Sequence, residues 1–236
     1  MTKAMQYINE NFLSENFTLK EQEEFLNITE KIIMHEEFEK RCTEEFYHHG
    51  ITTLGEHIIK DTILTYRMIK IYKLKHPLKK INLEDALLIS LFHDLYTNPW
   101  QNNADKKSII KAENHGFIHP VEAVINSYTW FPEYFKNKEK REKIIDGILH
   151  HMYPFPVKKV TTNTIINNQN ITKFKHYKYL IENTYNKTNL HYNIKKSKSI
   201  EGRIMSKADK KSALKELKNI ESFLALITGK NNSIIK

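Results

Sequence analysis

Asn82-Leu83-Glu84-Asp85-Ala86-Leu87-Leu88-Ile89-Ser90-Leu91-Phe92-His93-Asp94 is the stretch that decides how this chain reads. Asn82 is of a type favoured at helix N-caps, because its side-chain oxygen accepts a hydrogen bond from one of the first unpaired backbone N–H groups. Between Leu83 and Phe92 apolar residues dominate, which predicts a short helix buried on most sides, at the centre of a helical protein. His93 follows Ala86 by seven residues and Ile89 by four, so it faces inward at the helix end, with Asp94 directly after it.

Outward from this helix the chain keeps a helical character. Its 236 residues hold only six Gly and six Pro, too few for a turn-rich sheet protein, and one domain is expected. Leu19 to Met34 and Glu36 to Tyr47 are rich in helix formers and end at Gly50. A further helix opens at Thr53-Leu54-Gly55-Glu56 and runs to about Leu74, before Pro77. A polar loop is expected over Thr97 to Asp105. His119-Pro120 is read as a helix start, since proline suits the first helical position, and that helix runs to about Tyr128. Lys138 to Met152 spaces Ile144, Ile145, Ile148 and Leu149 helically and stops at Pro154 and Pro156. From Val157 to Lys198 the composition shifts to Thr, Asn, Lys and Tyr and reads as an insertion. Helicity resumes from Ile200 to Ile227.

The lone Cys42 excludes an internal disulfide framework and thiolate-rich metal sites, which fits a reducing, cytoplasmic setting. The N-terminal residues lack a signal-peptide apolar stretch, and no run approaches a bilayer span, so no membrane partner is expected. The net charge of +9 attracts phosphate-bearing partners in principle. Without an Arg-rich or aromatic-interleaved stripe it is read first as solvation of helix surfaces, with nucleic acid a less favoured partner.

Helical spacing sorts the twelve histidines. His57 heads the stripe His57, Asp61, Leu64, Met68, Ile71. His119 precedes Ala123 by four residues, and His151 lies three beyond Ile148, while His150 falls beside Asp146 and off that face. Asp209 sits midway between Met205 and Ala213. Burying four imidazoles and two carboxylates together is costly unless a cation takes up their lone pairs, and such N/O sets suit first-row divalent metals. Asp61 is read as an ion-pair partner of a nearby Lys or Arg, ahead of a role orienting His57.

The ordered series His57, His93-Asp94, His119, His151, Asp209 resembles the HD superfamily of metal-dependent phosphohydrolases. The strings His-Gly-Phe-Ile-His-Pro at 115 to 120, His-Met-Tyr-Pro at 151 to 154 and Ser-Lys-Ala-Asp-Lys at 206 to 210 are similar to a bacterial group of stand-alone HD-domain hydrolases. The resemblance covers about residues 48 to 220. Pro99 stands where that group has an acidic residue, and the stretch between His151 and Asp209 is longer than in the group.

The resemblance implies an all-α, HD-like bundle over 48–228, with an N-terminal helical extension over 1–47, the 157–198 insertion before the last helix, and a tail over 229–236. It implies metal ligation by His57, His93, Asp94 and Asp209, with Asp94 bridging to a second ion on His119 and His151. The cofactor is one or two ions of manganese, iron, nickel, zinc or magnesium. The implied reaction is attack of metal-activated water on a phosphomonoester or phosphodiester, with Asp94 central to it. His115 is expected to contact substrate or donate a proton to the leaving oxygen, and His49 to line the pocket. The expected substrate is a nucleotide or similar small phosphoester. A non-catalytic module binding a phosphorylated ligand or nucleic acid, and an iron-pair oxidative reaction, are the alternatives.

Overall fold

Side-chain caps set where the helices begin. The computed structural model describes residues 1–48, 52–96, 112–154, 157–158, 192–193 and 195–216. Thr2 caps α1 (Lys3–Ser14), and Thr18 forms a reciprocal capping box with Glu21 at the head of α2 (Leu19–Ile33). Thr53 caps α4 (Leu54–Lys75), Asn82 caps α5 (Leu83–Phe92) and Asn137 caps α7 (Lys138–Leu149). The remaining helices are α3 (Glu36–Lys40), α6 (Ala112–Trp130) and α8 (Ile200–Glu216), with 3-10 turns at Glu44–Phe46 and Pro132–Phe135. The fold is all-α apart from two antiparallel pairs of two residues each, β1 (Tyr47–His48) with β2 (Thr52–Thr53) and β3 (Val157–Lys158) with β4 (Tyr192–Asn193).

The central position of α5 is the organising fact. Every residue of it except Glu84 is buried, and α4, α7, α8, α2 and α6 all pack against it. The α7–α8 crossing is close because glycine faces glycine. A Cβ added at Gly202 would lie 2.9 Å from the Gly147 Cα, and one added at Gly147 would strike the Ile89 side chain at 2.7 Å. Phe12, Phe17, Phe25 and Tyr66 form an aromatic cluster joining α1 and α2 to α4. No helix among the described residues is long and apolar enough to cross a membrane.

Three boundaries differ from the sequence reading. The helix expected over Glu36 to Tyr47 stops at Lys40, because the Arg41 carbonyl accepts from Gly55 N–H (2.7 Å) and the buried Arg41-Cys42 turn packs against the head of α4. Long-range pairing there overrides local propensity. The helix expected to start at His119-Pro120 begins at Ala112 and runs through Pro120. A proline inside a helix removes one hydrogen bond and costs about 3 kcal/mol. Burial of Val121, Ala123, Val124 and Ile125 offsets that loss. The third is α7, which ends at Leu149, leaving His150 to Pro154 in turns. Along α4 the stripe from His57 is buried only as far as Asp61, and Ile71 is half exposed, because the middle turns bury the neighbouring face that carries Thr65, Tyr66 and Ile69. The loop expected over 97–105, Gly50, most of 157–198 and the helical stretch expected beyond Glu216 lie outside the described residues.

Candidate metal centre

Five elements send side chains to one buried point. α4 supplies His57 and Asp61, the end of α5 supplies His93 and Asp94, α6 supplies His119, the turn after α7 supplies His151, and α8 supplies Asp209. His57, Asp61 and His93 are fully buried, and the other four are at most 9% exposed.

Backbone carbonyls fix the orientation of two of the rings. His93 Nδ1 donates to Ser90 O (2.7 Å) and His151 Nδ1 donates to Ile148 O (2.7 Å). A carbonyl only accepts, so each Nδ1 carries the proton and each Nε2, when the ring is neutral, turns a lone pair into the centre. Ser206 Oγ (2.5 Å) and Lys210 Nζ (3.0 Å) donate to the His151 carbonyl and hold that turn against α8. The Leu95 carbonyl accepts from Asn126 Nδ2, and the Tyr96 carbonyl accepts from Arg41 Nε (3.0 Å) and Nη2 (2.7 Å), so the backbone just after Asp94 is anchored from α6 and from the turn after α3.

Imidazole nitrogens and carboxylate oxygens crowd together at this point. His119 Nε2 and His151 Nε2 are 3.0 Å apart. Asp94 faces two pairs of rings: Oδ1 lies 3.2 Å from His119 Nε2 and 3.6 Å from His151 Nε2, while Oδ2 lies 3.9 Å from His57 Nε2 and 3.7 Å from His93 Nε2. Asp209 Oδ1 lies 3.6 Å from His57 Nε2 and 4.0 Å from His93 Nε2. Asp61 Oδ2 is closer still, 3.0 Å and 3.4 Å from the same two nitrogens. Both Asp61 oxygens, Asp94 Oδ1 and His93 Nε2 are buried with no hydrogen bond of regular geometry among the described residues.

A divalent ion fits this donor set. His57, Asp61, His93 and Asp209 each offer a donor atom within 4.8 Å of the others, as do His93, Asp94 and His151. Two donors held at about 2.1 Å by one ion stand about 3.0 to 3.4 Å apart, the spacing of the closest contacts here. Such an ion would take up the buried lone pairs that protein groups leave unmatched.

Electrostatics in the metal-free protein follow from the same crowding. Burial pushes the His93 imidazole down, but Asp94, Asp61 and Asp209 outweigh it and hold the group at about 9. Burial and the neighbouring His93 and His119 push His151 down to about 3. Burial raises the Asp94 carboxyl, yet His93, His119 and His151 hold it well below the ordinary carboxylate range, and His57 and His93 lower Asp61 in the same way.

The six residues proposed as ligands from sequence therefore converge. His150 instead pairs with Asp146 (3.3 Å), away from the centre. Asp61 departs from the expectation of a Lys or Arg partner: its close charged neighbours among the described residues are the imidazoles of His57 and His93, because the fourth residue after His57 shares its buried face. His48 was not singled out, although its ring stacks on His57 at 3.9 Å and its Nδ1 lies 3.4 Å from Tyr96 Oη. It sits in a two-residue strand, where helical spacing carries no signal. His49 and the side chain of His115 lie outside the described residues.

No protein-family model, no curated protein and no solved structure matches the chain.

Proposed function

We propose that this chain is a divalent-metal-dependent phosphohydrolase of HD type, a phosphomonoesterase or phosphodiesterase that acts on a nucleotide or similar small phosphoester. The observation that carries the reading is Asp94, whose two oxygens face two separate pairs of imidazoles. That arrangement suits a carboxylate shared by two ions, one beside His57, His93 and Asp209 and one beside His119 and His151. A divalent ion held there would supply Lewis acidity, lowering the pKa of water and offsetting charge on phosphoryl oxygens in the transition state.

The chain's own groups do the rest. Ser90 O and Ile148 O fix the tautomers of His93 and His151, which keeps both Nε2 lone pairs aimed at the centre. Arg41 and Asn126 hold the carbonyls beyond Asp94, so the His-Asp pair cannot drift along the chain. Beside the His151 turn, a groove of about 700 Å³ carries Lys75, Lys196, Arg203, Lys207 and Lys210, with no acidic residue among its described lining. Positive charge on that flank favours approach of phosphate-bearing ligands.

The test is a screen of nucleoside mono-, di- and triphosphates and cyclic nucleotides with manganese-, iron-, nickel- or zinc-supplemented protein, run beside Asp94→Ala. Hydrolysis by the wild type that disappears in the variant supports the reading. Ligand binding without turnover in either protein overturns it in favour of a non-catalytic module.

A further inference from the structure

We infer that Asp61 is itself a metal ligand, a third carboxylate on the ion beside His57 and His93. The inference rests on the metal-centre reading above and adds a donor that the ordered His, His-Asp, His, His, Asp series does not include. A carboxylate next to a metal-bound imidazole has two places to stand. Behind the ring it accepts from the nitrogen turned away from the ion and orients the ring; in front it shares the ion.

In His93 the rear position is taken, because Nδ1 donates to Ser90 O. Asp61 Oδ2 is on the Nε2 side, 3.4 Å from His93 Nε2 and 3.0 Å from His57 Nε2. Asp94 Oδ2 and Asp209 Oδ1 flank the same two nitrogens. One carboxylate oxygen in front of two imidazoles, among the other acidic donors, holds the position of a co-ligand and not of an orienting group. Asp61 is fully buried, and its close charged neighbours among the described residues are the same two imidazoles that face Asp94 and Asp209. Its place four residues after His57 lets one turn of α4 deliver both donors.

The chemical consequence is a change in the kind of ion. With Asp61, this position has two nitrogens and oxygens from Asp61, Asp209 and Asp94. Five protein donors exceed a tetrahedral zinc site, and an oxygen-rich set of higher coordination number suits manganese or ferrous iron.

The experiment is titration of EDTA-stripped full-length protein with Mn²⁺ and with Co²⁺, by calorimetry and by cobalt absorption, for wild type and the near-isosteric Asp61→Asn. Far-ultraviolet circular dichroism checks that both are folded. Loss of an orienting partner weakens metal binding by about 10- to 100-fold. Loss of a ligand is expected to exceed 100-fold at one of the sites and to intensify the cobalt bands as coordination number falls. Diffraction from wild-type crystals grown with Mn²⁺ reads the same claim without a variant, with an ion about 2.2 Å from Asp61 Oδ2 expected. If wild type binds the ions and Asp61→Asn matches it, or weakens binding only by the roughly 10- to 100-fold of an orienting partner with an unchanged cobalt spectrum, or the ion stands beyond bonding distance of Asp61 Oδ2, the inference is overturned and the metal-centre reading stands. If wild type binds no ion, both fail.

Discussion

His119 Nε2 and His151 Nε2 meet at 3.0 Å although they come from different elements, one inside α6 and one in the turn after α7. Asp94 Oδ1 closes the triangle. Asp94 Oδ1 faces this pair while its Oδ2 faces His57 and His93, so His151→Ala is expected to lower bound metal by about one equivalent and leave the ion beside His57 in place. Metal analysis by mass spectrometry checks this, and phosphoester turnover is expected to fall by about 100-fold or more. Unchanged metal content in the variant would mean that the pair holds no ion.

Asp94→Asn is a harsher change because it removes the group that faces both sets. Both ions are expected to weaken and hydrolysis to fall by about 1,000-fold, with kcat reduced more than KM is raised. Steady-state kinetics at saturating metal checks the split.

The metal-free protein is expected to be most stable near pH 6.5. His93 has a folded-state value of about 9 against its ordinary 6.5, so its contribution is complete below 6.5 and is lost as pH rises through 9. His151 is held at about 3, so its contribution is present above 6.5 and is lost as pH falls toward 3. Urea midpoints at pH 5, 6.5 and 9 with EDTA present test this. Saturating metal is expected to abolish the alkaline loss, since an ion on His93 Nε2 displaces the proton whose release produces it.

Gly202→Ala tests the frame that positions Asp209. The added Cβ would strike Ser197 Oγ and lie 2.9 Å from the Gly147 backbone, so α8 must move away from α7. A destabilisation of about 1 to 3 kcal/mol is expected in urea unfolding, with weaker metal binding as Asp209 is displaced.

Much of the bundle is legible in the sequence, because caps and helical spacing are local signals, and the six residues that the HD resemblance implies as ligands lie at one buried point. Asn82 through Phe92 forms the predicted helix at the predicted bounds, and His57, His93 and His151 face inward as their spacing required. What escaped was set by contacts distant in sequence. Nothing near Arg41 announces that its carbonyl belongs to Gly55, and nothing near Pro120 announces the packing that lets a helix run through it. Spacing puts Asp61 on the correct face but predicts a Lys or Arg partner, whereas its close charged neighbours among the described residues are two imidazoles brought together by packing. His48 reaches His57 through a short strand pair that periodicity does not reveal.

Metal content of the full-length protein, purified without chelator from cells supplied with manganese and iron, bears most directly on the centre. About one to two equivalents of divalent metal in the wild type, falling to near none in Asp94→Ala while both remain folded, is the expected result. A folded wild type that carries no divalent metal and takes none up on titration would contradict it, and the crowded imidazoles and carboxylates would then be held by shared protons alone.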